Sequence, residues 1–259
     1  MPKIITCYKW VLDEQDIKVN PTTLALDTSR AKKKISDYDK NAIEVATQLF
    51  EAHGGSSTII SYGGTDLKQS LKDALSRGPE KAIWVSDANA EQADGYVTAN
   101  VLAEAVKQAG EYDMILCADG SADVCNQQLP ARLAALLDVP AITSVVKFEV
   151  EGTKVTATRR VGDSTETIIV EGPAVYSVLP EIAQPRFPTV KQLMGASKKP
   201  QTEIKVADLG LPEAKLTAKS KVRSITGYVM SRKNMLFKDG SPEELASQVV
   251  ANLTKEGVL

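Results

Sequence analysis

The chain has 259 residues and a mass of 27.9 kDa, with 43% hydrophobic residues, 25% charged residues and a formal net charge of −2. This is the composition of a globular protein large enough for a full core, and it lacks the overall basic footprint of a nucleic-acid binder. A single histidine, His53, and three widely spaced cysteines, Cys7, Cys117 and Cys125, leave serine-triad chemistry, a zinc site and a disulfide framework without their usual parts.

The opening MPKIITCYKWVLDEQD is apolar too briefly for a signal peptide. No run approaches the ~18 apolar residues of a membrane span. Reduced cysteines and no span are the expectation for a cytoplasmic protein. Residues 3–8 predict a buried strand, and residues 12–34 a polar excursion with a small hairpin over 17–19 and 24–26. From Ser36 the spacing of Ala42, Ile43, Ala46, Leu49 and Phe50 predicts a helix, stopped by Gly54-Gly55. Strands follow at 57–64, 81–87 and 114–120, with helices at 65–77, 94–109 and 126–137 between and after them. Strands and helices in alternation predict βαβ units and a parallel sheet covered on both faces.

Beyond Pro140 the pattern changes. AITSVVKFEVE predicts a further strand, and KVTATRRV and TETIIVEG alternate with period two, the mark of an antiparallel hairpin. PAVYSVL, 173–179, returns to a buried run. The fold class is therefore α/β, Rossmann-like, with an antiparallel hairpin near its end. Residues 180–240 hold few apolar clusters and read as an extended arm lying on a second polypeptide. The arm ends in a helix with Ser241 as N-cap, Pro242 at the first position and Glu244 closing a capping box. A lone helix of this length is marginal unless its apolar face docks.

Ligands of open α/β sheets bind beyond the carboxyl ends of the strands. Three such ends carry small or polar residues: Thr6-Cys7-Tyr8-Lys9, Ser61-Tyr62-Gly63-Gly64, and the run from Ala118 to Gln128. Helix-start amides beside Ser and Asn side chains suit a phosphate, and Asp37-Tyr38-Asp39 is placed to cover an adenine. The same glycines describe plain βα turns equally well. Neither GxGxxG nor GxxxxGK[ST] occurs, so a dinucleotide fingerprint and a P-loop are both missing.

Along nearly its whole length the chain resembles the β (small) subunit of electron transfer flavoproteins, closest to the subgroup of anaerobic bacterial carnitine and acyl-CoA operons. The segments that carry the resemblance are KIITCYKWVLDEQDIKVN, ISDYDKNAIEVATQL, LSRGPEKAIWVSD, DMILCADGSADVCNQQLPARLAALLDVPAIT and, most specifically, EIAQPRFPTVKQLMGASKKPQTEIKVADLGL. The resemblance implies an electron carrier subunit rather than a catalyst. FAD would be held mainly by an α-subunit partner, and AMP or a second FAD by this chain. An acyl-CoA dehydrogenase-like flavoenzyme would exchange electrons with it, and electron bifurcation belongs to some members. Carried over, the nucleotide positions are Cys7, Ser36, Tyr38, Asp39, Tyr62 and Gly63, with Ala118, Asp119, Gly120, Ser121, Asp123, Asn126, Gln127 and Gln128 in the loop. The partner-docking positions are Pro185, Arg186, Phe187, Val190, Leu193 and Met194, with Val190 where relatives carry an anchoring Leu. The loop reads Asp123-Val124-Cys125-Asn126 where bifurcating members carry Asp-Gly-Asp-Thr, which counts against a second FAD. Ser36-Asp37 stands where relatives carry Asn-Pro. The implied division is a nucleotide-binding domain over 1–179, a recognition loop over 180–200, and an arm with its helix over 201–259 on the α subunit. The competing reading is an adenine-nucleotide-binding regulatory module with the same core, which would need no arm.

Overall fold

The computed structural model describes residues 1–230 and 232–259. In chain order it contains β1 (Lys3–Cys7), β2 (Trp10–Leu12), β3 (Lys18–Val19), β4 (Leu26–Asp27), β5 (Lys33–Ile35), α1 (Asp37–His53), β6 (Ser56–Gly63), α2 (Leu71–Ser76), β7 (Lys81–Ser86), α3 (Gly95–Ala109), β8 (Met114–Ala118) and α4 (Leu129–Leu137). Then come β9 (Ala141–Glu151), β10 (Lys154–Val161), β11 (Ser164–Glu171), β12 (Ala174–Val178), α5 (Val190–Ala196), β13 (Gln201–Lys205), α6 (Glu213–Leu216) and α7 (Pro242–Lys255).

Nine strands form one sheet in the order β11-β10-β9-β12-β8-β1-β6-β7-β13. Only β10 runs against the others. Side chains of successive strand residues point to opposite faces, so Ile4 and Ile5 enter different cores. On one face, Val97, Val101, Ala105 and Val106 of α3 and Leu133 of α4 pack against Ile5, Ile60, Val85 and Ile115. On the other, Ala42, Val45, Ala46 and Leu49 of α1 meet Met114, Leu116 and Tyr176, while Leu71 and Leu75 of α2 meet Ile59 and Trp84. Each fully buried Leu or Ile is worth roughly 1.5–3 kcal/mol over exposure, so these two layers hold the sheet together. The antiparallel section is a meander, β9-β10-β11, through the two-residue turns Gly152-Thr153 and Gly162-Asp163.

The α/β class and its antiparallel section agree with expectation; three local expectations do not. The helix predicted over 65–77 is a 3-10 stretch, Thr65–Ser70, before α2. The Ser70 hydroxyl bonds the Leu67 carbonyl at 2.7 Å and shares a 2.7 Å bond with the Tyr8 hydroxyl, which favours three-residue spacing there. The helix predicted from 126 starts only at Leu129, because Cys125 (φ 44°) and Gln127 (φ 53°) adopt left-handed backbone. The core does not end at Leu179 either. β13 adds to the sheet beside β7 through backbone bonding, which needs no apolar pattern, and Ile204, Val206, Leu211 and Leu216 pack against the α3 face around the buried Leu209.

The chain divides into two compact units. The first, residues 1–18 and 27–224, holds the nine-stranded sheet and its helices. The second comprises residues 19–26 and 225–259. Within it the Gly227 amide donates to the Leu24 carbonyl at 2.7 Å. Its helix, α7, carries the full capping box of Ser241 and Glu244 with Pro242 in the first turn, and has no buried residue.

Candidate functional site

The strand order reverses at β1. From β1 the chain builds β6 and β7 on one side, then crosses back through α3 to lay β8 and β12 on the other. Two loops therefore diverge above the carboxyl ends of β1 and β8, the place where open α/β sheets bind their ligands.

The loop after β8 is held open from below by side chains. Asp119 accepts from Ser177 Oγ at 2.8 Å, from Gln127 Nε2 at 2.6 Å and, more weakly, from Ser144 Oγ at 3.4 Å. Ser177 Oγ in turn accepts the Ser144 amide at 2.9 Å, at a residue with φ of 59° where the β9–β12 register shifts. Ser121 Oγ donates to Asp123, and the Cys125 amide returns to the Ser121 carbonyl at 3.0 Å. At Gly120 a side chain has no room, since a Cβ there would lie 2.7 Å from Cys125 Sγ. The result is a loop whose polar side chains bond one another. Among the described residues, the amides of Asn126, Gln127 and Gln128 donate to no protein group. They lead into the first turn of α4, where Pro130 sits and helix amides are left over. Successive free N–H groups at a helix start fit a phosphate without further help.

The start of α1 closes the other side. Ser36, fully buried, accepts the Ala122 amide at 3.1 Å, and its own amide bonds the Lys9 carbonyl at 3.0 Å. Asp39 is buried and accepts the Lys9 amide at 2.8 Å, while the Lys9 ammonium pairs with Asp123. Burial pushes the Asp39 carboxyl up to about 7, against the pull of the Lys9 and Ala118 amides and the Lys9 charge, with Asp123 adding to the rise. For Asp123 burial acts upward, but the Lys9 ammonium and Ser121 hydroxyl hold it below the usual carboxylate range. Beneath them Cys7 and Cys117 are both buried; contact with Cys7, and then burial, raise the Cys117 thiol.

Cys7, Ser36, Asp39 and Ala118–Asp123 are thus brought together. Asn126 and Gln127 are exposed on the loop, and Gln128 accepts from Arg132 Nε at 3.1 Å. Tyr38 is 40% exposed in the first turn of α1. The Gly63 carbonyl accepts the Asp87 amide at 3.0 Å. Tyr62 faces a different cleft, of about 360 Å³, where its hydroxyl donates to Asp87 at 2.7 Å beside Asn89, Gln92 and Thr217. Lys9 closes the first of the three strand ends named from the sequence, whereas spacing does not single out Ser144 or Ser177; a lone serine in the otherwise apolar AVYSV is the one signal for the last.

A second feature lies near the ends of α1 and α2. There α5, opened by a Thr189–Gln192 capping box, follows Phe187 and Pro188. Phe187, Val190 and Met194 are 92%, 73% and 71% exposed, whereas Pro185, Arg186 and Leu193 are half-buried.

The sheet order, with its reversal at β1, defines a Rossmann-like α/β protein, and polar loops line that switch point. The family model for the electron transfer flavoprotein domain matches residues 23–209, and the chain belongs to that family. Electron carriage with flavin is the family's general role. No helix among the described residues is long and apolar enough to cross a membrane.

Proposed function

We propose that this chain is the β subunit of a heterodimeric electron transfer flavoprotein. It holds the adenosine phosphate of AMP, or of a second FAD, at the switch point. The observation that carries this reading is the row of amides over 126–128 without a protein partner among the described residues, running into α4 on the loop that also holds Ser121 and bonds the buried Ser36. An AMP phosphate and the adenylate half of FAD make the same demand there, so both satisfy the geometry. A flavin carried by the partner subunit supplies the one- and two-electron chemistry. This chain contributes nucleotide binding, a scaffold and a docking loop around Val190 for an acyl-CoA dehydrogenase-type flavoenzyme. Residues 1–179 are the nucleotide-binding domain in this reading, 180–200 the recognition loop, and the exposed apolar residues of 225–259, among them Tyr228, Leu236 and Val250, the face toward the α subunit.

The test is to co-express the two subunits, denature the purified complex and identify the released nucleotides by mass spectrometry. FAD with AMP, or two FAD, is the expected content. A complex that releases no adenine nucleotide beyond one FAD removes the site from this chain.

A further inference from the structure

Arg186 belongs to the exposed segment by sequence, yet its side chain turns away from solvent. Its guanidinium donates to both oxygens of Glu44, at 2.8 and 3.0 Å, and both of Glu51, at 2.7 and 2.9 Å. Its amide adds a 3.1 Å bond to Glu44. Glu44 is buried on α1, so this is a partly desolvated, two-carboxylate clamp of the kind that holds geometry as well as charge. The Arg186 carbonyl is tied as well, to Arg77 Nη1 at 3.1 Å, and Arg77 is the C-cap of α2. At the far end of the segment the Lys199 ammonium places one donor on each of three carbonyls, Leu75 at 2.8 Å, Gly78 at 3.1 Å and Pro79 at 2.6 Å. Those carbonyls lie at and just past the carboxyl end of α2, where a cation also meets the helix dipole favourably. Between the two tethers, within α5, only Ala196 is buried.

We infer that Arg186 and Lys199 are positioning residues which fix both ends of the 187–198 segment, so that Phe187, Val190 and Met194 are presented to the electron-transfer partner as a rigid surface. Arg186 then acts through α1 and touches no partner itself. The inference rests on the docking role proposed above and adds the device that makes docking economical. A loop ordered in advance loses less conformational entropy when the partner binds.

Arg186→Gln in the co-expressed heterodimer is the main variant, read by amide hydrogen exchange and by electron transfer with a purified acyl-CoA dehydrogenase reduced by its acyl-CoA. Exchange over 187–198 is expected to rise about tenfold while the central strands are unchanged. The KM for the dehydrogenase is expected to rise about fivefold with kcat unaltered, because uniform binding is lost and chemistry is not. Arg186→Lys, which engages one carboxylate instead of two, falls between. If Arg186→Gln does not fold because Glu44 is left buried and unpaired, the double variant Glu44→Gln/Arg186→Gln removes the orphan charge and gives the same two readouts. Unchanged exchange over 187–198 overturns the clamp. Raised exchange with an unchanged KM overturns the positioning role. Val190→Asp separates the layers: if it too leaves transfer untouched, the docking reading itself falls and the positioning role goes with it. If Val190→Asp raises KM while the Arg186 variants do not, the inference alone fails.

Discussion

Asp39 sits where burial and hydrogen bonding pull its proton in opposite directions. Burial dominates, and the carboxyl rises from the ordinary 3.8 to about 7. The folded state therefore holds this proton over a range in which the unfolded chain has released it. Stability linked to Asp39 is full below the unfolded value and is lost as pH rises from there towards about 7. Asp39→Asn keeps an acceptor for the Lys9 amide and removes the titration. Urea unfolding across this range is expected to show the wild type losing ground to the variant by up to about 1.4 kcal/mol per pH unit. Parallel pH profiles would mean that Lys9 and nearby water hold the carboxylate ionised throughout. Asp94 is the opposite case. Burial acts upward, but the amides of Val97, Ser220 and Lys219 and the Ser220 hydroxyl bring it down to about 2. It caps α3 through the Tyr96 and Val97 amides and ties residues 219–220 to that helix with its other oxygen.

At the scale of elements, the proposed phosphate seat rests on the 119–128 loop. Its one helical-type bond runs from the Cys125 amide to the Ser121 carbonyl, and otherwise its shape depends on Asp119, on Ser121 and on the absence of a side chain at Gly120. Gly120→Val forces atoms into the Cys125 side chain and backbone, so the loop must move. The expected outcome is a folded protein that has lost most of its adenine nucleotide, measured as nucleotide per heterodimer after denaturation. Full occupancy would move the binding site away from this loop. The two capping boxes make a different point. Those at Thr189 and Ser241 are both formed, but α5 also buries Ala196 against the α2 layer, whereas α7 has no buried side chain. A cap orders the first turn of a helix; only a buried face holds the helix in place.

For the whole molecule, every member of the three core clusters precedes residue 217. Deleting residues 225–259 is therefore expected to leave the thermal midpoint and nucleotide content of the remaining chain unchanged. Capture of the flavin-bearing subunit, read by co-purification, should be lost. A truncated chain that still brings down its partner would place the subunit interface on the sheet unit instead. The exposed Ile225, Tyr228, Met230 and Leu236 give the physical motive, since large apolar side chains recurring within a dozen residues are costly to leave in water.

Much of this was legible from residue order because it depends on local periodicity. Short continuous runs of mostly buried residues at 3–7, 57–63 and 114–118, apolar spacing in α1 and α3, and period-two alternation in β10 and β11 each follow from which side chains must face a core. Ser241, Pro242 and Glu244 likewise mark the start of α7 through contacts only three residues apart. The tertiary structure alone decided what depends on partners distant in the chain. β13 became a strand because the edge of β7 offered unpaired backbone groups, and QTEIK carries no pattern that announces it. Asp119 found Ser177, Ser36 found Ala122, and Arg186 found Glu44 and Glu51 across separations of 58 to 142 residues. Such pairs cannot be read from spacing, because the fold rather than the intervening chain sets their distance. For that reason Arg186, which by sequence sits among the proposed docking residues, turns its side chain inward to Glu44 and Glu51.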